Sequence, residues 1–156
     1  MKNSMDITFS SIAQNERFAR VVISAFAAQL DPTMEEIQDI KTAVSEAVTN
    51  SIVHGYESDP SRLVKMSAVL TSLGDIEITI SDDGIGIDDL EQAREPFFTT
   101  KPEMDRSGMG FTVMESFMDE LKVESQPGKG TRVIMSKRIA AGAAALKPAV
   151  TLDKVT

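Results

Sequence analysis

Ser45-Glu46-Ala47-Val48-Thr49-Asn50, followed downstream by Asp82-Asp83-Gly84-Ile85-Gly86, decides how this chain is read. Glu46 and Asn50 are four residues apart, so on a helix they share one face, about one turn from each other. A carboxylate and an amide oxygen held in that way converge on a single group. Two further Gly-x-Gly segments come later in the chain, Gly108-Met109-Gly110 and Gly128-Lys129-Gly130. The ordered set reads as an ATP site, with the metal-phosphate group at the Glu46–Asn50 face.

Upstream, Asp31-Pro32-Thr33-Met34-Glu35-Glu36 joins a capping residue, a first-turn proline and a Thr-x-x-Glu box, and so announces the helix that carries Glu46. Ile37, Ile40, Val44, Ala47, Val48 and Ile52 give that helix a buried stripe, and Gly55 stops it. Before it, Ile7 to Ser10 is β-prone, and the stretch from about Gln14 to Leu30 carries Phe18, Val21, Val22, Ala25 and Phe26 at helical spacing. Residues 63–71 and 76–81 read as a half-buried hairpin, because Ile76, Ile78 and Ile80 alternate with Glu77, Thr79 and Ser81. From Asp82 to about Ser107 the chain is irregular, apart from a short helix near Asp88 to Arg94. Phe111 to Leu121 resumes helical spacing, and 123–126 and 131–137 bracket a last turn. The order predicts an α+β fold, a two-layer sandwich with helices on one face of a mixed, mostly antiparallel sheet. Residues 1–139 form the domain, and the alanine-rich 140–156 form a poorly ordered tail.

Composition narrows the chemistry. The 156 residues suit one domain. The absence of cysteine removes disulfides, thiolate zinc sites and thiol catalysis, and a single histidine rules out a multi-histidine metal centre. A net charge of −8 opposes direct binding to a nucleic-acid backbone. No apolar run reaches a membrane span, and Met1 to Asp6 lacks the apolar core of a signal peptide, so the expected place is the cytoplasm.

Each candidate residue has a plain reading beside a chemical one. Glu46 is either a solvated helix-surface carboxylate or a general base within reach of a hydroxyl. Asn50 offers a neutral oxygen, which suits Mg²⁺ that also takes phosphate oxygens and water. Asp82 either caps a glycine turn or accepts a hydrogen bond from the adenine amine, with Gly84 and Gly86 allowing close backbone approach and Ile87 joining the nucleotide contacts. Guanine would oppose its carbonyl to the carboxylate. Ser107, Gly108, Met109, Gly110 and Phe111 lead into a helix whose first N–H groups face a phosphate, with Arg106 beside them. Thr99, Thr100 and Lys101 belong to a loop that is either ordinary or a lid touching phosphates. Gly128 to Thr131 is a hairpin turn, and Thr131 reaches the base if the last strands adjoin Asp82. His54 reads as a helix C-terminal histidine.

In this order and spacing the residues resemble the Bergerat, or GHKL, ATP-binding fold shared by histidine kinases, DNA gyrase, Hsp90-type chaperones and mismatch-repair ATPases. Within it, Met5 to Ile139 is similar to the small bacterial anti-sigma factor serine kinases. Ala43 to Tyr56 and Arg106 to Phe111 most resemble the sporulation branch of that family. The resemblance implies an ATP- or ADP-bound homodimer with Mg²⁺. It would hold a sigma factor of the F type away from RNA polymerase and phosphorylate a serine of an anti-anti-sigma protein. By the same resemblance Glu46 is the base for that serine, Asn50 the Mg²⁺ ligand, Asp82 the adenine reader and Arg106 a γ-phosphate contact. Arg20 and Thr49 match partner-contacting positions. The alternatives are the stress-response branch of the same family and a nucleotide-gated binding module without significant kinase activity.

Overall fold

Alternation in the central hairpin dictates the sheet. Val64, Met66, Ala68 and Leu70 point to one face with Ile76, Ile78 and Ile80, all at most 1% exposed, while Lys65 and Glu77 point to solvent. The computed structural model describes residues 2–95 and 110–146. Its strands are β1 (Asn3–Ser10), β2 (Leu63–Leu70), β3 (Asp75–Asp82), β4 (Glu120–Ser125) and β5 (Thr131–Arg138), and its helices are α1 (Gln14–Ala27), α2 (Met34–Asn50), α3 (Leu90–Ala93), α4 (Gly110–Phe117) and α5 (Gly142–Ala145). The strands run β1-β2-β3-β5-β4 across one sheet, and every pairing is antiparallel. The β3–β5 register sets Asp82 opposite Thr131.

The capping box forms as its residues dictate. Glu36 N–H donates to Thr33 Oγ1 at 3.1 Å, and Thr33 N–H donates to Glu36 Oε1 at 2.9 Å. From there α2 lays Ile40, Ala43, Val44, Ala47 and Val48 on the core, fully buried. The result is an α+β two-layer sandwich.

The structure departs from the sequence reading in several places, four of which matter here. The buried stripe of α1 is Ala19, Ile23 and Ala27, continuing to Leu30, whereas Phe18 and Val21 are 50% and 63% exposed. Ala19 and Ala27 lie on either side of Ile23 on this face, one turn away in each direction. Phe18 is displaced to the flank, where it meets Phe9 edge-on at 6.3 Å between ring centres. Helix α4 ends at Phe117, and Leu121 belongs to β4, because the chain turns at Met118-Asp119 and Leu121 and Val123 then alternate inward. Strand β1 begins at Asn3 and is longer than its apolar part, since its full length pairs with β2.

The fourth difference is in the tail. Ala140 to Leu146 lies on the domain: Ala140 N–H donates to Glu36 Oε2 at 3.0 Å, and Ile139 N–H donates to the Gly74 carbonyl at 3.1 Å. Gly74, at φ +88°, and Gly142 touch backbone to backbone, since a Cβ on Gly142 would sit 2.6 Å from the Gly74 oxygen. Composition gave no sign of this because the contact uses glycine and main chain. Residues 147–156 lie outside the described residues.

Candidate nucleotide site

After Asn50 the helix widens into a π turn, Ser51–Gly55, closed by the Tyr56 N–H donating to the Ser51 carbonyl at 2.9 Å. The extra residue in this turn carries the helix end onto the end of β3. There the Gly55 carbonyl accepts the Ile85 N–H at 3.0 Å, and a Cβ on Gly84 would lie 2.0 Å from that same oxygen. Only glycine fits at position 84.

Asp82 is 7% exposed. Its carboxylate accepts the Gly84 N–H at 3.0 Å, the hydroxyl of the buried Ser51 and the Thr131 N–H. Burial pushes its pKa above the ordinary carboxylate value. The hydrogen bonds from Ser51, Gly84 and Thr131 oppose that rise, and the nearby Asp83 charge adds to it. The β4–β5 turn is docked on this loop: a Cβ on Gly130 would fall 2.0 Å from the Asp82 carbonyl oxygen, and one on Gly86 2.1 Å from that of Gln126. Gly128 N–H donates to the Ile85 carbonyl at 2.6 Å, and Ile87 N–H donates to Ser125 Oγ at 2.8 Å. Ser125 Oγ in turn lies 2.9 Å from Thr131 Oγ1. The third glycine segment thus packs against the first.

These elements enclose a cavity of about 260 Å³. Asn50, Asp82, Gly86, Ile87, Phe111 and Thr131 line it, joined by Gly110 at the start of α4 and by Ala47 and Val133. Apolar walls with one buried carboxylate suit a flat heteroaromatic ring bearing a donor. Asn50 lines the cavity next to Gly110, where a Cβ would be 3.0 Å from the Asn50 Nδ2 and 3.2 Å from its Oδ1. The space beside that amide is therefore one a side chain would fill. Among the described residues no three His, Asp or Glu side chains could hold a metal by themselves. Asn50 offers a neutral oxygen of the kind that suits a cation also held by phosphate oxygens and water.

Of the residues expected from sequence, the cavity brings together Asn50, Asp82, Gly86, Ile87, Gly110, Phe111 and Thr131. Gly84 supports it from behind. Glu46 and Thr49 are half-buried on α2 and do not line it. Arg20 lies on α1, with its Nε 2.8 Å from Glu16 Oε1, and Glu16 also accepts the Ser45 hydroxyl. Thr99, Thr100, Lys101, Arg106, Ser107, Gly108 and Met109 lie outside the described residues. Sequence reasoning passed over Ser51, which follows Asn50 by one position and had only its small polar side chain as a signal. His54, read as a helix-terminal histidine, also lines the cavity. Among the described residues no helix is long and apolar enough to cross a membrane.

Residues 9–137 match the histidine kinase-like ATPase domain family. The chain is 56% identical over 140 residues to the anti-sigma F factor of Geobacillus kaustophilus (strain HTA426), covering 90% of this chain and 95% of that protein. It is 59% identical over 139 residues to the anti-sigma F factor of Clostridium perfringens (strain SM101 / Type A), covering 89% and 99%. Among solved structures, the RsbU and RsbW domains of a Mycobacterium tuberculosis protein superpose with a TM-score of 0.65 at 21% identity, over 88% of this chain and 32% of that one. The histidine kinase domain of a blue-light activated kinase from Erythrobacter litoralis EL346 gives 0.54 at 23% identity, over 71% of this chain and 48% of that one. At these identities the two structures speak for the fold.

Proposed function

The chain belongs to the histidine kinase-like ATPase domain family, within its anti-sigma F factor group, and from that premise we propose that it is an ATP-dependent anti-sigma factor and protein serine kinase. It binds and inhibits a sporulation sigma factor of the F type, and it inactivates its anti-anti-sigma antagonist by phosphorylating a serine. The observation that carries the nucleotide part is the buried Asp82 carboxylate, held by Ser51, Gly84 and Thr131 in an apolar cavity.

Asp82 has donors on its protein side, and its remaining acceptor capacity suits the exocyclic amine of adenine. Ile87, Phe111 and Val133 supply apolar walls for the ring. Asn50 would hold a shared Mg²⁺, and Arg106 with the Ser107 to Phe111 segment would bind phosphate oxygens. When bound, Mg-ATP supplies the γ-phosphoryl group and the cation that offsets its charge. Glu46, one turn before Asn50, orients the substrate serine hydroxyl and receives its proton. Arg20 and Thr49 meet the protein partners, and two chains assemble as a dimer. The outer edge of β1, which pairs with no second strand among the described residues, and the exposed Phe18 and Val21 on α1 support that assembly, because they offer hydrogen-bonding and apolar surface to a second chain.

The test is transfer of labelled γ-phosphate from Mg-ATP to a purified anti-anti-sigma protein, alongside sigma-factor binding, for the wild type and Glu46→Ala. The expected result is phosphoserine that disappears in Glu46→Ala while sigma binding persists. Nucleotide and sigma binding without any transfer would reduce the protein to a nucleotide-gated binding module.

A further inference from the structure

Tyr56 does not line the cavity, yet its hydroxyl is committed on both sides. It donates to the Leu63 carbonyl at 2.6 Å and accepts the Asp83 N–H at 2.7 Å. Arg62 takes the other polar group of the same residue: its Nη2 donates to the Asp83 carbonyl at 2.8 Å, and its Cζ stands 4.8 Å from the centre of the Tyr56 ring. Both main-chain groups of the residue next to Asp82 are therefore held by one tyrosine–arginine pair. On the far side, Gly55 holds Ile85.

The loop that joins the two residues is built at a conformational cost. Glu57 and Ser58 are consecutive non-glycine residues at φ 51° and 60°, in the left-handed region. Asp59 then closes the loop by accepting the Ser61 N–H at 2.9 Å and the Ser61 hydroxyl at 2.7 Å. These two bonds lower the Asp59 pKa, so the acceptor is ionised at neutral pH. Burial pushes the Tyr56 phenol upward, which keeps it a protonated donor there. A strained backbone persists only where its surroundings over-determine it, and such segments collect at functional sites.

We infer that Tyr56 and Arg62 are positioning residues for Asp82: they fix the Asp83 main chain so that the buried carboxylate stays in register to select adenine over guanine. The inference rests on the reading of Asp82 as the base contact. Neither residue touches the cavity, so their effect on base choice passes through the backbone of 82–84.

The experiment measures dissociation constants for ATP and GTP by calorimetry on the full chain, with thermal unfolding in parallel, for Tyr56→Phe, Arg62→Met and Asp82→Asn. Tyr56→Phe keeps the ring and removes the hydroxyl. The expected result is an ATP affinity lower by about 5- to 10-fold, the order of one buried hydrogen bond, with GTP affinity unchanged, so that the ATP:GTP preference narrows. Arg62→Met moves the preference the same way and serves should Tyr56→Phe fail to fold. A lowered unfolding temperature with an unchanged preference in both variants, while Asp82→Asn does narrow it, overturns the positioning role alone. An unchanged preference in Asp82→Asn removes the reading of Asp82, and the inference falls with it.

Discussion

Gly55 lies flat against the carboxylate of Asp82: a Cβ at position 55 would stand 2.8 Å from the Asp82 Cγ and from both of its oxygens. Gly55 is absent from the positive-φ residues, so space and not backbone conformation demands glycine here. Gly55→Ala must push the carboxylate toward the cavity or the helix end away from β3. We expect ATP affinity to fall at least tenfold and stability by about 1–3 kcal/mol, the usual cost of overpacking a filled site. Calorimetry with ATP and a denaturant titration check this, and wild-type values for Gly55→Ala would contradict the close packing.

Asp82 also gives the nucleotide-free protein a pH signature. Its folded pKa is raised, chiefly by burial, so folding favours the protonated form. Its contribution to stability is fully present below the unfolded pKa and is lost as pH rises through the higher folded pKa. Asp82→Asn cannot titrate. The stability of the wild type minus that of Asp82→Asn should therefore grow as pH falls from neutral through the acid range, as measured by urea unfolding at a series of pH values. A flat difference would mean that the carboxylate is not desolvated. In the same variant ATP affinity should drop, because the amide turns a donor toward the adenine amine, at a cost of about 1–3 kcal/mol.

Much of this was legible because it rests on residue pattern. The capping box at Thr33 and Glu36 fixed the start of α2, and alternation at Ile76, Ile78 and Ile80 fixed the central hairpin. Thr131 is expected beside Asp82 if the last strands adjoin it, and the β3–β5 register sets the two opposite each other, while Asn50 lines the same cavity from the end of α2. What was not legible depends on packing between segments. Nothing local marks Ala19 and Ala27, with Ile23, as the buried stripe of α1, because hydrophobicity alone favours Phe18 and Val21 over the two alanines. Ser51 and Tyr56 act through hydrogen bonds to residues about 30 positions away. The π turn has no propensity signal; it is set by the need to deliver Gly55 to Asp82.

Gly110 offers a matched probe of the Asn50 part of the cavity lining. A Cβ there would lie 3.0 Å from Asn50 Nδ2, a distance that obliges the amide to give by a few tenths of an ångström. Asn50 is the proposed cation ligand, and small displacements of such groups are costly to transfer chemistry. Gly110→Ala should therefore lower the phosphotransfer rate by roughly tenfold or more while leaving the ATP:GTP preference near that of the wild type. Gly55→Ala should alter the preference. Steady-state kinetics with both nucleotides separates the two, and a changed preference in Gly110→Ala would count against assigning Asn50 to the phosphate end.

Glu36 closes the fold at a point where two segments remote in sequence meet. One carboxylate oxygen accepts the Thr33 N–H and the other the Ala140 N–H. Burial by itself would raise its pKa, but these backbone bonds, the Thr33 hydroxyl and the Lys137 charge outweigh it, and the net shift is downward. For a depressed carboxylate the stabilisation is present above the unfolded pKa and is lost as pH falls through the folded one. Glu36→Ala should cost about 1–2 kcal/mol, more than a capping partner alone, because it strands two N–H groups. Glu36→Gln should cost less, since its single carbonyl oxygen still serves one of them. The chain ended after Ile139 lacks the Ala140 donor, so the same substitution should cost less there than in the full chain. A double-mutant cycle by urea unfolding reads that coupling directly. Equal costs in the two backgrounds would mean that Ala140 to Leu146 contributes nothing through Glu36, and would leave the Gly74–Gly142 contact as what holds that segment to the domain.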